Sequence, residues 1–521
     1  MASSSSRPGL IGSLIQTLSD ASAHFRDGLI HLTSGVAIDI AKPAILGLLS
    51  SIEVGTLILI DEHHQERHVF GRPPESPSLH TNTAAAVNGN SGSVHADRTA
   101  NPAVTLTVTS PRFYLRLLLF ADMGFAESCL LNEVTCSDLT AFFRLFIFNR
   151  ARLNNGSTGR LSSKLSNTAL SLLLFGSSSG IMSKVWRRSK ESNTVEQALL
   201  NASAHYDLGN ALFAAFLSPD MTYSCPIWAP LPPRSSSSGS ITDDGGRSGK
   251  NHEEETLEAA QFRKIHHIIA SARIKRSDHV LEIGTGWGSF AIEAVKTTGC
   301  RVTTVTLSKE QKAWAEEAIR REGLEDKIQV LLLDYRAIPA VPGGYDKIVS
   351  IEMVEAVGKE HLGTYFGVVN RLLKKEGGIA VVQCITIPEG RQAAYEERED
   401  FINRYIFPGG YLPSTTQLLD HITSESNGTL IVESVANIGG HYARTLRLWR
   451  ERFLANYDAK IRRALVEKHP DTRKEELDVF RRKWEYYFSY CEAGFMTKTL
   501  GDVIITFGRE GAMELMEGIP L

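Results

Sequence analysis

Cysteine is scarce and scattered in this chain of 521 residues: the six, at 129, 136, 225, 300, 384 and 491, form no CxxC pair. That spacing excludes a zinc ribbon and a disulfide framework, and it suits a reducing compartment. A dominant charge is also missing. Lys and Arg number 56 against 59 Asp and Glu, for a net charge of −3, which removes the electrostatic case for binding nucleic acid. Nor is there a clean long apolar run. AKPAILGLLSSIEVGTLILI (41–60) contains Lys42, Pro43 and Glu53, and YLRLLLFADMGFAESCLL (114–131) contains Arg116, Asp122 and Glu127. Neither reads as a membrane span, so any encounter with lipid is expected from the surface. The N-terminus, MASSSSRPGLIGSLIQTLSD, lacks the basic region and long apolar stretch of a secretory leader.

What is present reads as a globular protein, 42% hydrophobic and 22% charged, and too long for one ordinary core. Two polar stretches, 71–102 and 230–255, are rich in Pro, Ser, Asn and Gly and read as solvated insertions. The expected organisation is an N-terminal α+β domain over 1–152, a helical connector over 153–200 and a larger domain over 201–521. In the first, AVTLTV (103–108) alternates like a strand and a helical pattern follows Pro111. Within the larger domain, strands HVLEIG, RVTTVTLS, KIQVLLLD, YDKIVSIE and GIAVVQCITI alternate with helical segments. This rhythm predicts an α/β fold with a doubly wound, mostly parallel sheet. DVIITFGREG (502–511) reads as a further strand of the same sheet.

The first of these strands enters a turn with glycine at 284, 286 and 288, which lets a ligand approach the backbone closely. A dinucleotide fingerprint wants a third glycine where Ser289 stands, and an acid about twenty residues on to hold a ribose. The second strand instead ends in VTLS, with no acid before Glu310. A P-loop would need GKS or GKT, which is absent. S-adenosylmethionine carries no phosphate and suits an ExGxGxG turn with the acid inside the strand. A turn serving geometry alone is the weaker reading, given the ordered strand–helix–strand context.

Further motifs follow in order: HYDLGNALFAAFLSPDMTYSC (205–225), LEAAQFRK (257–264), LEIGTGWGS (281–289), VTLSKEQ (305–311), DYR (334–336), EMVEAVG (352–358) and YIFPGGYLPS (405–414). Together they resemble the cyclopropane-fatty-acyl-phospholipid synthase family, which includes the mycolic acid cyclopropane synthases and related methyltransferases. FADMGFAES (120–128) is similar to the N-terminal domain of its longer members. The resemblance implies a Rossmann-like S-adenosylmethionine-dependent methyltransferase domain acting on the cis double bond of a phospholipid acyl chain. The expected partners are that acyl chain and a peripheral membrane surface, with a cytoplasmic location, a possible homodimer and no nucleic acid.

The chemistry accounts for the residues. An isolated alkene is a weak nucleophile, so it must be held tightly against the electrophilic sulfonium methyl in a dry cavity. Transfer leaves a carbocation, which aromatic faces stabilise. A base must then remove a proton for the ring to close. The resemblance implies a bound bicarbonate as base, held by Cys225, Glu355, Tyr442 and the residue at 383, with backbone amides. Bacterial members commonly carry His where Gln383 stands, and Gln can donate a hydrogen bond but not exchange a proton. Glu352 competes with Glu355; Glu355 is preferred because the family often has a small residue at 352. For the donor, the resemblance implies Tyr223 and Ser224 near the methionine part, Gly284, Gly286 and Gly288 beneath it, Thr306, Leu307 and Gln311 near the ribose, and Asp334 near the adenine. Thr285 and Ala356 replace the family's Cys and His. No metal is expected.

Three functions compete at this point. The first is cyclopropanation, or another methylenation or methylation, of an acyl chain. The second is C-methylation of another unsaturated lipid or secondary metabolite without ring closure. The third, from a different class, is a lipid-binding protein with an inactive methyltransferase domain; intact donor motifs speak against it. FFRLFIFNRARL (142–153) interleaves apolar and Arg residues and is a candidate membrane-facing stretch, although a core helix with a basic end is the favoured reading.

Overall fold

The computed structural model describes residues 37–72, 101–159, 209–230 and 255–520. The chain forms two compact units, one of residues 1–206, 399–406 and 468–493, the other of residues 207–398, 407–467 and 494–521. The second unit starts close to the expected boundary, while two C-terminal segments are grouped with the first unit. Apart from their ends, the two polar insertions lie outside the described residues, as do most of the connector and residues 195–208.

The first unit holds strands β1 (Thr56–Asp61), β2 (Glu66–Gly71), β3 (Ala103–Val108) and β4 (Val134–Cys136) in the order β2-β1-β3-β4. The apolar stretch 41–60 is therefore split: helix to residue 49, then β1, which pairs antiparallel with β2 and parallel with β3. Lys42, which interrupts that stretch in sequence, pairs at 2.8 Å with Asp61 at the end of β1. Phe125, in the helix Arg112–Leu130, stacks on Phe142 at 4.2 Å, and Tyr486 closes on Phe143 at 5.1 Å and on Phe401 at 4.4 Å. Phe142, Phe143 and Leu145 are buried, so the stretch 142–153 belongs to a core helix, Leu139–Gly159.

The second unit is built on seven strands: β5 (His279–Ile283), β6 (Arg301–Thr306), β7 (Ile328–Leu332), β8 (Lys347–Ile351), β9 (Ile379–Thr386), β10 (Ile431–Asn437) and β11 (Gly501–Gly508). Their order is β10-β11-β9-β8-β5-β6-β7. β5 to β9 run parallel, and β11 and β10 complete the sheet antiparallel. β9 and β11 are almost wholly buried runs, as strands covered on both faces must be. The helices between them start where the sequence supplies a cap: Thr256, Ser308 and Ser414 each accept from a backbone N–H of the first turn. The chain goes from β5 outward to β7 and returns to β8 beside β5. The order reverses there, and ligand crevices of open α/β sheets form beyond the strand ends at such a point.

Candidate active site

The glycine turn follows β5 and the segment 352–358 follows β8, so both lie at this reversal. Gly284 has φ +106°, and a Cβ on it would stand 3.1 Å from the Met353 side chain. Gly286 has φ +53°, yet a Cβ there would meet no atom within 4 Å. Glycine at 286 thus answers to backbone conformation and to close approach from outside the protein, not to packing. Gly288, at φ +93°, begins the helix Ser289–Thr298.

Around this turn the donor candidates fall into two groups. At the end of β6, Thr306 Oγ1 donates to Gln311 Oε1 at 2.8 Å, and the Ser308 cap fixes the Gln311 backbone. Leu307 beside them is 72% exposed. Asp334 is clamped by Arg336 through two contacts of 2.8 Å, and that guanidinium holds its carboxyl below the usual carboxylate range. Tyr223 lies in a box of rings, with Phe213 at 5.2 Å, Trp449 at 5.1 Å and Phe407 at 6.4 Å. Trp287 of the glycine turn continues this wall, 5.1 Å from Phe213. Ser224 accepts from Lys264 Nζ at 2.6 Å, and its carbonyl accepts from Gln261 at 2.8 Å. Gln261 and Lys264 are three residues apart on one face of the helix Leu257–Ser271.

The remaining candidates meet at one carboxylate. Glu352 Oε1 accepts from the Cys225 backbone N–H at 2.6 Å and from the Gln383 amide at 2.9 Å, and Oε2 accepts from the Tyr442 hydroxyl at 2.7 Å. Each donor comes from a different element. Cys225 is in the loop after Thr222, pinned by Trp228, whose indole donates to His441 O and Thr445 Oγ1, both at 3.1 Å. Tyr442 lies in the helix Gly440–Asn456, where Thr445 and Trp449 share its buried side. Gln383 lies inside β9, and its amide also reaches Asp502 of β11 at 2.9 Å.

The acid that gathers Cys225, Gln383 and Tyr442 is therefore Glu352. Glu355, preferred from sequence, accepts from Ile385 N at 2.5 Å, and its Oε2 has no partner among the described residues. The physical difference is one of direction. The two acids lie three residues apart in a short turn after β8, and only Glu352, at φ +47°, faces the three donors. A residue with a side chain rarely adopts such a φ. The donors that the resemblance assigns to bicarbonate thus already have an acceptor from the chain itself. On this observation, the residues present do not fit a bound bicarbonate.

Burial pushes the Glu352 carboxyl up, and the Cys225 and Tyr442 hydrogen bonds with the Lys264 charge pull it back. Asp502 is pushed well above its ordinary value by burial and by the Glu352 charge. Glu355 is raised to about 8, by burial first and by Glu352 second. The Cys225 thiol is also pushed far up by burial and points at the carbonyls of Pro226 and Ile438, so Cys225 contributes its backbone N–H and not a thiolate. Glu282, in β5, is raised to about 8 by burial. Lys264, Glu352 and Asp502 have the closest claim to having been missed. The first lies in LEAAQFRK (257–264) with no role assigned by sequence, the second competes with Glu355 on spacing, and the third has no signal beyond an acid at the head of an apolar strand. Among the described residues no cluster of His, Cys, Asp and Glu could hold a metal ion.

A largely parallel seven-stranded sheet, with a glycine turn after its first strand and a buried polar network at the strand-order reversal, is the architecture of an S-adenosylmethionine-dependent methyltransferase. Comparison with known sequences narrows the class. The sequence profile of mycolic acid cyclopropane synthetases matches residues 193–504, more than half of the chain, and the protein belongs to that family. It is 39% identical over 326 residues to the tuberculostearic acid methyltransferase of Mycobacterium tuberculosis, a match covering 63% of this chain and 69% of that protein. It is 31% identical over 412 residues to the cyclopropane-fatty-acyl-phospholipid synthase of Escherichia coli strain K12, covering 79% and 90%. A sphingolipid C9-methyltransferase of Emericella nidulans is 32% identical over 289 residues, covering 55% of this chain and 49% of that one. The protein is a lipid-modifying methyltransferase of this family.

Proposed function

We propose that the enzyme transfers the methyl group of S-adenosylmethionine to the cis double bond of an unsaturated acyl chain of a phospholipid, and that proton loss then closes a cyclopropane ring. The observation that carries this reading is one carboxylate, Glu352, that accepts from the Cys225 N–H, the Gln383 amide and the Tyr442 hydroxyl just after β8, the strand that pairs with β5 and its glycine turn. In this reading the backbone at 284–288, Tyr223 and Ser224 hold the methionine part of the donor, Thr306, Leu307 and Gln311 the ribose, and Asp334 the adenine. The donor supplies an electrophilic methyl when bound. The chain's own work is to exclude water, align the alkene and accept a proton. The rings of Tyr223, Phe213, Trp287 and Trp449 offer faces to the cation that transfer creates.

The acyl chain reaches this crevice from the surface of a membrane. No helix among the described residues is long and apolar enough to cross one. The test is incubation of the full chain with methyl-labelled donor and vesicles of a monounsaturated phospholipid, followed by mass spectrometry of the released fatty acids. One added methylene with loss of the double bond supports the reading. The same mass gain with the olefin retained favours C-methylation without ring closure, and no label in lipid refutes both.

A further inference from the structure

We propose that the carboxylate of Glu352 is itself the base of this enzyme and stands in for a bound bicarbonate, so that turnover needs no inorganic carbon. The inference rests on the reaction proposed above and on geometry. A bicarbonate held by the Cys225 backbone N–H, the Gln383 amide and the Tyr442 hydroxyl would need those three donors to be free. They are 2.6, 2.9 and 2.7 Å from Glu352 oxygens. The side chain is brought there by a backbone φ of +47°, a conformation that is unfavourable for a residue with a Cβ and that glycine would adopt freely. Strain of this kind persists where surrounding contacts enforce it, and it clusters at functional sites. Glu352 keeps some accessible surface, as a group that meets a substrate must. Lys264, fully buried, donates to Ser224 Oγ at 2.6 Å; its charge favours the ionised form of Glu352, while burial lowers the pKa of Lys264 itself.

The step balances without another reactant. The S–CH₃ bond breaks with its electron pair left on sulfur, and the alkene π pair forms the new C–C bond. Glu352 then takes a proton from the attached methyl group while that C–H pair closes the ring. The proton passes to solvent as product leaves.

Two readouts on the full chain decide the matter. The first is turnover in buffer stripped of carbon dioxide against the same buffer with added bicarbonate. The wild type is expected to run equally in both, whereas Glu352→Gly is expected to lose about 100-fold or more and to regain activity with bicarbonate. The second is broadening of the ¹³C line of labelled bicarbonate on adding protein, which needs no turnover. It is expected with Glu352→Gly and not with the wild type. A wild type that binds bicarbonate, or that stalls without it, overturns the proposal. If the wild type binds the demethylated donor but modifies no lipid, the reaction proposed above fails, and the carbon line still tells whether Glu352 fills the bicarbonate position.

Discussion

Cys225, Gln383 and Tyr442 lie far apart in sequence and become one site because each offers a hydrogen to the same acid. Those three were legible from motif order. The acid was not, because Glu352 and Glu355 follow one strand three residues apart and spacing alone does not say which turns inward. Removing the hydroxyl in Tyr442→Phe takes a hydrogen bond from a charged group, worth about 1.5–3 kcal/mol. Turnover is expected to fall by about 10- to 100-fold, with binding of the demethylated donor, read by calorimetry, nearly unchanged. Glu355 makes a different prediction. Its folded-state value of about 8 lies above the ordinary 4.5, so the fold binds this proton more tightly than the unfolded chain does. The stability it contributes is whole below 4.5 and is lost as pH rises through about 8. Glu355→Gln copies the neutral form, so its melting temperature should decline less between those limits than that of the wild type. A parallel decline would mean that Glu355 is ionised in the fold.

At the scale of elements, β5 to β9 were readable because apolar runs alternate with capped amphipathic helices. Four strands were not, among them β4, which is only three residues long. β1 was hidden inside a long apolar stretch whose first half is helical, β2 is the polar run ERHVFG, and β10 is a largely exposed edge strand. Edge and hairpin strands lack the continuous apolar signature of buried ones. The glycine turn was legible, and its residues separate stability from binding. Gly286→Ala meets no neighbour and is expected to cost only about 1 kcal/mol of stability while weakening donor binding strongly. Gly284→Ala would strike Met353 at 3.1 Å and should lower the melting temperature more. Equal donor affinity in Gly286→Ala and the wild type would remove the donor from this turn.

For the whole molecule, the sequence implied a small N-terminal module followed by a catalytic domain, which leaves out the return of residues 399–406 and 468–493 to the first unit. No local pattern announces such a return, since Phe401 and Tyr486 look like ordinary apolar residues of helices until their ring partners are known. The arrangement bears on how the first unit is stabilised. Phe142, stacked on Phe125, is expected to act as a core residue, so Phe142→Ala should destabilise the chain by about 3–5 kcal/mol in urea unfolding. A variant that kept full stability but lost vesicle binding would instead make this helix a membrane-facing surface.

The most direct measurement is the acyl profile of a host that makes monounsaturated phospholipids, has no such enzyme of its own and expresses either this chain or Glu352→Gln. A new acyl species one methylene heavier and without a double bond is expected in the first host, and none in the second. An unchanged profile in the first host, from folded protein that binds the demethylated donor, would contradict it.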